Sequence, residues 1–460
     1  ADVGAAPYAL VLSVTGDPSA SITAVWRDSG KKDEFLQVAD EREYAVSGFA
    51  NAVSVGAVCR DVSIDGSGAW HYEAAVEGLA PGTAYRCRAG SEDGWSEVFS
   101  FRTDDPQSKN VTFAYMGDVQ PAGGMEEDYA LWGELCAELY RRSPELSFAV
   151  LGGDIVNSGI SSSMFDCFFR YASPVFSGVP LFSTVGNHES NLPGGKPELF
   201  LDYFAFPTDG PEGFAEEFYS VNMGNVHLLV LNDWIFSGEQ DLKDADYERV
   251  ADWIRYELAA STADWQVAVL HVPVYEVHSD PRAAAVREAW GGIFEDYGVD
   301  LVFEGHQHVY SRSYPLYRER VDYEKGVTYI MGVAGSKFYD SSDETLAERT
   351  VYNTATYELV KTDGGLMTVQ AMDLAGNELD FAVIPQRGVN VTRLEYIETL
   401  WRAAGCPAPA HASPFSDVEN NAVTWSWETG LILGYGNGRF GPDDPMRDWQ
   451  IKLVLGRMGK

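Results

Sequence analysis

Positive charge is scarce in this chain. Of 460 residues, 33 are lysine or arginine against 69 aspartate or glutamate, a formal net charge of −36. Such a balance repels phosphate backbones and anionic bilayers, which argues against a nucleic-acid binder or a membrane-surface protein. A small phosphorylated substrate remains compatible, because bound metal ions invert the local field. Cysteine is sparse too: Cys59, Cys87, Cys136, Cys167 and Cys406. None are spaced as Cys-x-x-Cys, which argues against a zinc ribbon. Cys59–Cys87 and Cys136–Cys167 disulfides, or buried free thiols, both fit this spacing. No apolar run reaches the roughly 18 residues of a membrane-spanning helix. The chain opens on Ala1 rather than methionine, as a processed secreted protein or a trimmed chain would.

What is present points to a large folded chain. Apolar types make up 45% and charged types 22%, a globular rather than disordered composition. At roughly 150 residues per domain, about three domains are expected. Residues 1–106 are rich in short β-type runs, "YALVLSV", "SITAVW", "WHYEAAV" and "AYRCRAG", separated by turn residues. They predict an all-β sandwich. "DDPQSKN" (Asp104 to Asn110) reads as a linker.

From Val111 the pattern changes. "VTFAYMGD", "LSFAVLGGD", "PLFSTVGNHE", "NVHLLVLND", "WQVAVLH" and "VDLVFEGHQH" are apolar runs that each end in a polar or glycine-rich cluster. Amphipathic stretches lie between them. One places Leu131, Leu135, Cys136 and Leu139 on one helical face; another places Val250, Trp253, Ile254 and Leu258. Alternating strand and helix predicts a layered α/β domain over residues 111–386. Its polar clusters would meet at one sheet edge. The β-rich stretch from Val327 to Pro385 is expected to complete a second sheet. Residues 388–460 read as helix, glycine-rich turn and helix, with a loose repeat.

The clusters contain Asp118, Gln120, Asp154, Asn187, His188, His271, His306 and His308. Carboxylates mixed with neutral imidazoles suit borderline metals such as Zn, Mn or Fe. Two ions sharing one carboxylate can clamp the oxygens of an in-line displacement at phosphorus. His227 sits in an apolar run and reads as structural, and His71 and His411 give no signal.

The ordered set Asp118…Asp154…Asn187-His188…His271…His306-x-His308 resembles the calcineurin-like metallophosphoesterase signature. The preceding β-sandwich makes the purple acid phosphatase branch the most similar. The resemblance spans residues 8–385 and implies a double β-sheet sandwich flanked by helices, with a binuclear metal centre. It implies a first metal on Asp118, Asp154 and His308, and a second on Asp154, Asn187, His271 and His306. A hydroxide held by the ions would attack phosphorus in a phosphomonoester or diester, with His188 touching the phosphoryl oxygen or protonating the leaving group. His278 falls where the family places substrate-facing histidines, or is a solvated loop residue. Arg312 would brace the site or meet the substrate, or is a buried ion-pair partner, the commoner role of such an arginine.

The chain departs from the pattern twice. Purple enzymes carry a tyrosine three residues after the bridging aspartate, where this chain has Asn157. Tyrosinate-ligated Fe(III) is therefore not expected. Gln120 stands where relatives have His or Gly, and either ligates the first metal or holds a water beside it. A neutral oxygen there suits a harder ion such as Mn or Mg.

Two further resemblances complete the reading. "LAPGTAYRCRAG" and "FSFRT" look like late strands of a fibronectin type III domain. "FSDV", "GYGNGRFGPDDPM" and "TRLE" resemble S-layer homology modules, about one and a half of them. That family implies attachment to cell-wall polysaccharide, with Trp425, Trp427 and Trp449 either in a saccharide groove or in core packing. A secreted or wall-associated phosphoesterase is the expectation. The alternative is a wall-bound structural protein on an inactive phosphatase scaffold.

Overall fold

The computed structural model describes residues 6–62, 70–190 and 194–458. Residues 191–193 of the loop after the "GNHE" cluster, and the Trp449 side chain, lie outside the described residues.

Residues 6–62 and 70–103 build two facing antiparallel sheets around a shared apolar core. One orders Tyr8–Ser13, Ser21–Asp28, Trp70–Glu77 and Val58–Asp61. The other centres on Phe35–Asp40 and Ala84–Ser91. A short helix, Glu41–Ser47, interrupts the all-β pattern; Asp40 caps it by accepting from the Arg42 and Glu43 amides. This domain is bolted to the next one. Arg27, 1% exposed, pairs with Asp166 at 2.8 Å, and its guanidinium lies 3.6 Å from the Tyr203 ring centroid. All five cysteines are free thiols.

The central domain packs two sheets face to face. The first orders Leu181–Ser183, Phe148–Leu151, Thr112–Met116, Tyr357–Asp363, Leu366–Met372 and Glu378–Pro385. The second orders Tyr219–Met223, Val226–Val230, Trp265–Val269, Leu301–Glu304, Thr328–Met331, Tyr310–Ser313 and Ala347–Val351. The late β-rich stretch, expected to complete the second sheet, divides between the two. Thr328–Met331 joins Leu301–Glu304 in parallel, while Tyr357–Asp363 crosses to pair antiparallel with Thr112–Met116.

Helices cover the outer faces. Met125–Arg142 buries Tyr129, Trp132, Leu135, Cys136 and Leu139. Leu131, expected on that face, is instead exposed, and Trp132 fills the core against Phe168. In Asp244–Ala260 the buried stripe is Val250, Ile254 and Leu258; Trp253 lies at its edge, where its indole N–H reaches the Asp209 carbonyl.

The functional consequence is geometric. Parallel strands of both sheets end at the same edge of the sandwich. Tyr115 locks the two sheets together just below that edge. Its ring stacks on Phe303 at 4.3 Å, and its hydroxyl donates to the Glu304 carbonyl. A Cβ on Gly152 would lie 2.0 Å from that hydroxyl, so "GGD" needs a glycine there.

The C-terminal residues do not stand apart. Helix Arg393–Ala403 and helix Asn421–Glu428 bury Tyr396, Ile397, Leu400, Ala422 and Val423 in one cluster with Leu366, Phe381 and Val383 of the first sheet. The "TRLE" block is a capping box: the Thr392 amide donates to Glu395, and the Glu395 amide to the Thr392 hydroxyl. Asp417 of "FSDV" accepts from the Phe440 and Gly441 amides. Trp425 packs against the shared cluster, and Trp427 lies beside His411.

Candidate metal centre

Each expected ligand lies just past a strand end. Asp118 follows Thr112–Met116, Asp154 follows Phe148–Leu151, Asn187 follows Leu181–Ser183, His271 follows Trp265–Val269, and His306 follows Leu301–Glu304. The chain must turn sharply there. Asp118, Asp154, His306 and His308 all have positive φ, at 48°, 51°, 71° and 48°. Such backbone strain in four non-glycine residues at one edge marks a functional site.

The side chains converge. Asp154, His271 and His306 have donor atoms within 4.8 Å of one another, and so do Asp118, Asp154 and His308. Asp154 belongs to both groups. Asn187 joins them, its carbonyl oxygen 3.1 Å from His271 Nε2 and 2.9 Å from His306 Nδ1. All of these line or underlie a cavity of about 700 Å³ whose wall includes Asp154, Asn187, His188, His278, His306 and His308.

The imidazoles are oriented for ligation. His271 Nδ1 donates to the Gly152 carbonyl at 2.7 Å, and His308 Nδ1 to the Lys337 carbonyl at 3.0 Å. His306 Nε2 faces Asp280 Oδ2 at 2.9 Å. Each ring therefore has one nitrogen anchored and the other turned toward the carboxylates, the arrangement that fixes a ligating tautomer. Burial holds His308 near a pKa of about 3 and lowers His306, so both rings are neutral. Burial also opposes a charge on His271, but Asp154 at 3.3 Å, with Asp118 and Asp233, outweighs it and raises that pKa to about 10. Burial opposes a charge on Asp154 too, but His271 holds its carboxyl below the usual range, whereas burial pushes Asp118 above it, so positive charge is favoured beside Asp154. The donor set fits two metal ions.

A metal ligand must be a neutral imidazole, so loading must expel the His271 proton. Metal binding at neutral pH is expected to release at least one proton per chain and to tighten as pH rises toward about 10. Calorimetry in buffers of different ionisation enthalpy measures it. Loading without proton release would remove His271 from the ligand set.

Gln120 reaches the same space. Its amide lies 3.2 Å from both Asp154 Oδ2 and His308 Nε2, and its other polar atom, Oε1, is buried without a hydrogen-bond partner. Turning the amide over directs the oxygen inward. His188 stands at the rim. Its amide donates to Asp154 Oδ1 at 2.9 Å and its Nδ1 to the Asn157 carbonyl at 2.9 Å, leaving Nε2 3.9 Å from Asp154 Oδ2. Asn157, at the purple enzymes' tyrosine position, is engaged with backbone: its side chain donates to the Pro121 carbonyl.

Of the roles open to Arg312, the structure shows the ion pair. Its guanidinium grips Asp380 through Nε and Nη2 and also contacts Glu348, and it is absent from the metal cavity's wall. It is a buried ion-pair partner. His278 does line the cavity.

Several residues escaped the sequence reading. Glu189 accepts from the Gly186, Asp154, Ile155 and Val156 amides and so fixes the turn that carries Asp154. Asp233 accepts from the His271 and Val272 amides. Gln307 clamps the Val277–His278 segment, accepting from both amides and donating to the His278 carbonyl. Lys337 brings positive charge to the cavity wall. The "GNHE" and "LND" clusters contained Glu189 and Asp233, but an acid that binds only backbone amides has no spacing rule.

Comparison with known proteins agrees. The calcineurin-like phosphoesterase family model matches residues 111–310, and the purple acid phosphatase N-terminal domain model matches residues 7–103. Purple acid phosphatase 15 of Arabidopsis thaliana is 28% identical over 294 residues, covering 57% of this chain and 53% of that protein. The chain spans about half the length of the curated relatives it matches. Among solved structures, purple acid phosphatase PPD1 from yellow lupin (Lupinus luteus) seeds superposes with a TM-score of 0.67 at 17% identity, covering 83% of this chain and 75% of that one. PhoD superposes with a TM-score of 0.59 at 14% identity, covering 84% and 92%. Residues 111–310 are thus a calcineurin-like phosphoesterase domain, residues 7–103 a purple acid phosphatase N-terminal domain, and the chain has purple acid phosphatases as homologues.

Proposed function

We propose that the chain is a binuclear metal-dependent phosphoesterase that hydrolyses phosphomonoesters. The observation that carries this reading is the sharing of Asp154 by two converging ligand groups. One ion would be held by Asp118, Asp154 and His308 with the Gln120 oxygen, the other by Asp154, Asn187, His271 and His306. Bound there, such ions neutralise phosphoryl oxygens and lower the pKa of water.

The chain's own residues do the rest. Asp280 and the Gly152 and Lys337 carbonyls hold the three imidazoles in place, so no reorganisation is needed as charge develops. Lys337, in the cavity wall, and Arg282, whose guanidinium lies 4.6 Å from the Trp234 ring centroid and pairs with Asp280, oppose the chain's negative field and favour a phosphate. The Asn157 carbonyl keeps one proton on His188 Nδ1, so Nε2 faces the cavity and, when the ring carries a second proton as imidazolium, passes that proton to the departing alkoxide and is left neutral.

Location and anchoring extend the same reading. The protein would act outside the cell, with the fibronectin type III-like sandwich as a spacer and the S-layer-like residues 388–460 holding wall polysaccharide. The FSDV and GRFG contacts support an ordered module. Co-sedimentation with purified cell walls tests this, and a chain that stays in the supernatant sinks it.

The test of activity is direct. The protein is stripped, reloaded with Mn, Zn or Fe, and assayed on p-nitrophenyl phosphate and bis-p-nitrophenyl phosphate. Metal-dependent turnover, faster on the monoester, is expected. A chain that binds no metal and turns over neither substrate is instead the inactive scaffold.

A further inference from the structure

Among the described residues, the wall of the metal cavity holds a single lysine, Lys337, and no arginine. Arg282, the other cation nearby, is paired with Asp280 and packs on Trp234 outside that wall. Lys337 has no carboxylate partner among the described residues. In a chain of 69 acidic and 33 basic residues, an unpaired ammonium beside a carboxylate-rich centre calls for a reason.

The backbone around Lys337 is clamped between ligands of one ion. Before it, the Ala334 amide donates to the Gly117 carbonyl at 2.6 Å and the Gly335 amide to the Asp118 carbonyl at 2.9 Å. A Cβ on Gly335 would lie 2.5 Å from the Asp118 carbonyl oxygen, so the segment passes that turn in close backbone contact. After it, the Lys337 carbonyl accepts from His308 Nδ1 and the Tyr339 amide donates to the His308 carbonyl, both at 3.0 Å. The residue is thus placed beside Asp118 and His308 before any substrate arrives.

Its charge reaches those ligands. The ammonium lies 5.4 Å from the Tyr339 ring centroid, and that ring lies 4.7 Å from the His308 ring. Burial is the main influence on both neighbours, lowering the pKa of His308 and raising that of Asp118; the Lys337 charge adds to the first and opposes the second.

The substrate makes this placement matter. A phosphomonoester presents three acceptor oxygens and about −1.5 to −2 charges at neutral pH. A diester has given one of those oxygens to its second alcohol. Two ions clamp two oxygens. The third must find its partner in the wall, where Lys337 is the one lysine or arginine. We propose that Lys337 is the specificity-determining residue for monoesters, its ammonium donating to the third, charged phosphoryl oxygen. The proposal rests on the phosphoesterase reading above and deepens it by naming the residue that selects the substrate class.

The metal-loaded chain is assayed on p-nitrophenyl phosphate and bis-p-nitrophenyl phosphate, and its affinity for inorganic phosphate is measured by calorimetry. Lys337→Met keeps the reach of the side chain and removes the charge. It is expected to keep two ions and to lower kcat/KM on the monoester by roughly 10–100-fold, but on the diester by no more than about threefold. Phosphate binding is expected to weaken by roughly tenfold, the scale of one charge-assisted hydrogen bond. Equal losses on the two esters overturn the proposal, because a lysine that only steadies Asp118 and His308 acts on both alike. Unweakened phosphate binding overturns it as well. If Lys337→Met holds fewer than two ions, Lys337→Arg decides: it keeps the charge and must keep the monoester preference, and a collapsed preference overturns the proposal. Turnover of neither ester by the wild-type chain with two ions bound overturns the phosphoesterase reading itself. Turnover of both with a ratio unmoved by the substitution overturns only the role of Lys337.

Discussion

Asp154→Ala will lose both metal ions and turnover in a single step. Asp154 is the one carboxylate common to both ligand groups, and it is 1% exposed. Its Oδ1 accepts the His188 amide, while Oδ2 faces His271 at 3.3 Å. Neither Glu189 nor Asp118 is free to swing in and replace it, because Glu189 is held by four backbone amides and Asp118 accepts the His306 amide. The expected fall in kcat/KM is on the order of 10⁴-fold or more, the scale on which a cooperating catalytic set fails when one member is lost. Metal content by mass spectrometry should fall from two ions toward none. Alanine also sits poorly at a φ of 51°, so Asp154→Asn is the cleaner companion, since asparagine tolerates that backbone. A folded Asp154→Asn chain that keeps two ions and normal rates would show that the metals do not share this residue.

The convergence of the candidate ligands was legible because each follows an apolar strand within a few residues. A run such as "FAVL" can only be a buried strand, and the polar residues after it can only lie at the sheet edge. What holds those ligands was not legible. Asp233, Asp280 and Gln307 act on amides and rings 26 to 39 residues away, and no local pattern encodes such a pairing. Arg312 was open between a site residue and a buried ion-pair partner, and its place four residues after His308 does not choose between them. The strand Tyr310–Ser313 carries it elsewhere: Tyr310 and Arg312, two apart and on one face, both turn to Asp380. Leu131 failed for a simpler reason. Adjacent Leu131 and Trp132 compete for one helical face, and the larger indole buries more apolar area against Phe168. Likewise the strands after Val327 read as completing one second sheet but divide between both, since β-propensity does not name a partner.

His188 allows the chemistry to be separated from the metals. It contributes no atom to either ligand group, so His188→Ala should keep two ions. Its ring is fixed by one hydrogen bond, from Nδ1 to the Asn157 carbonyl, with Nε2 beside Asp154 at the cavity. A proton held on Nε2 matters only when the leaving alkoxide is poor. Loss of a general acid typically costs about 10²–10⁴-fold. That full loss is expected on an alkyl phosphate, whose alkoxide must be protonated as it departs. On p-nitrophenyl phosphate the loss should be much smaller, because p-nitrophenolate leaves without a proton. The two kcat ratios, measured on one preparation of known metal content, discriminate between roles. Equal losses on both substrates would mean that His188 stabilises charge on the phosphoryl oxygens rather than donating a proton. Unchanged rates on the alkyl phosphate would place the proton donor elsewhere, with His278, on the opposite wall segment, the next residue to replace.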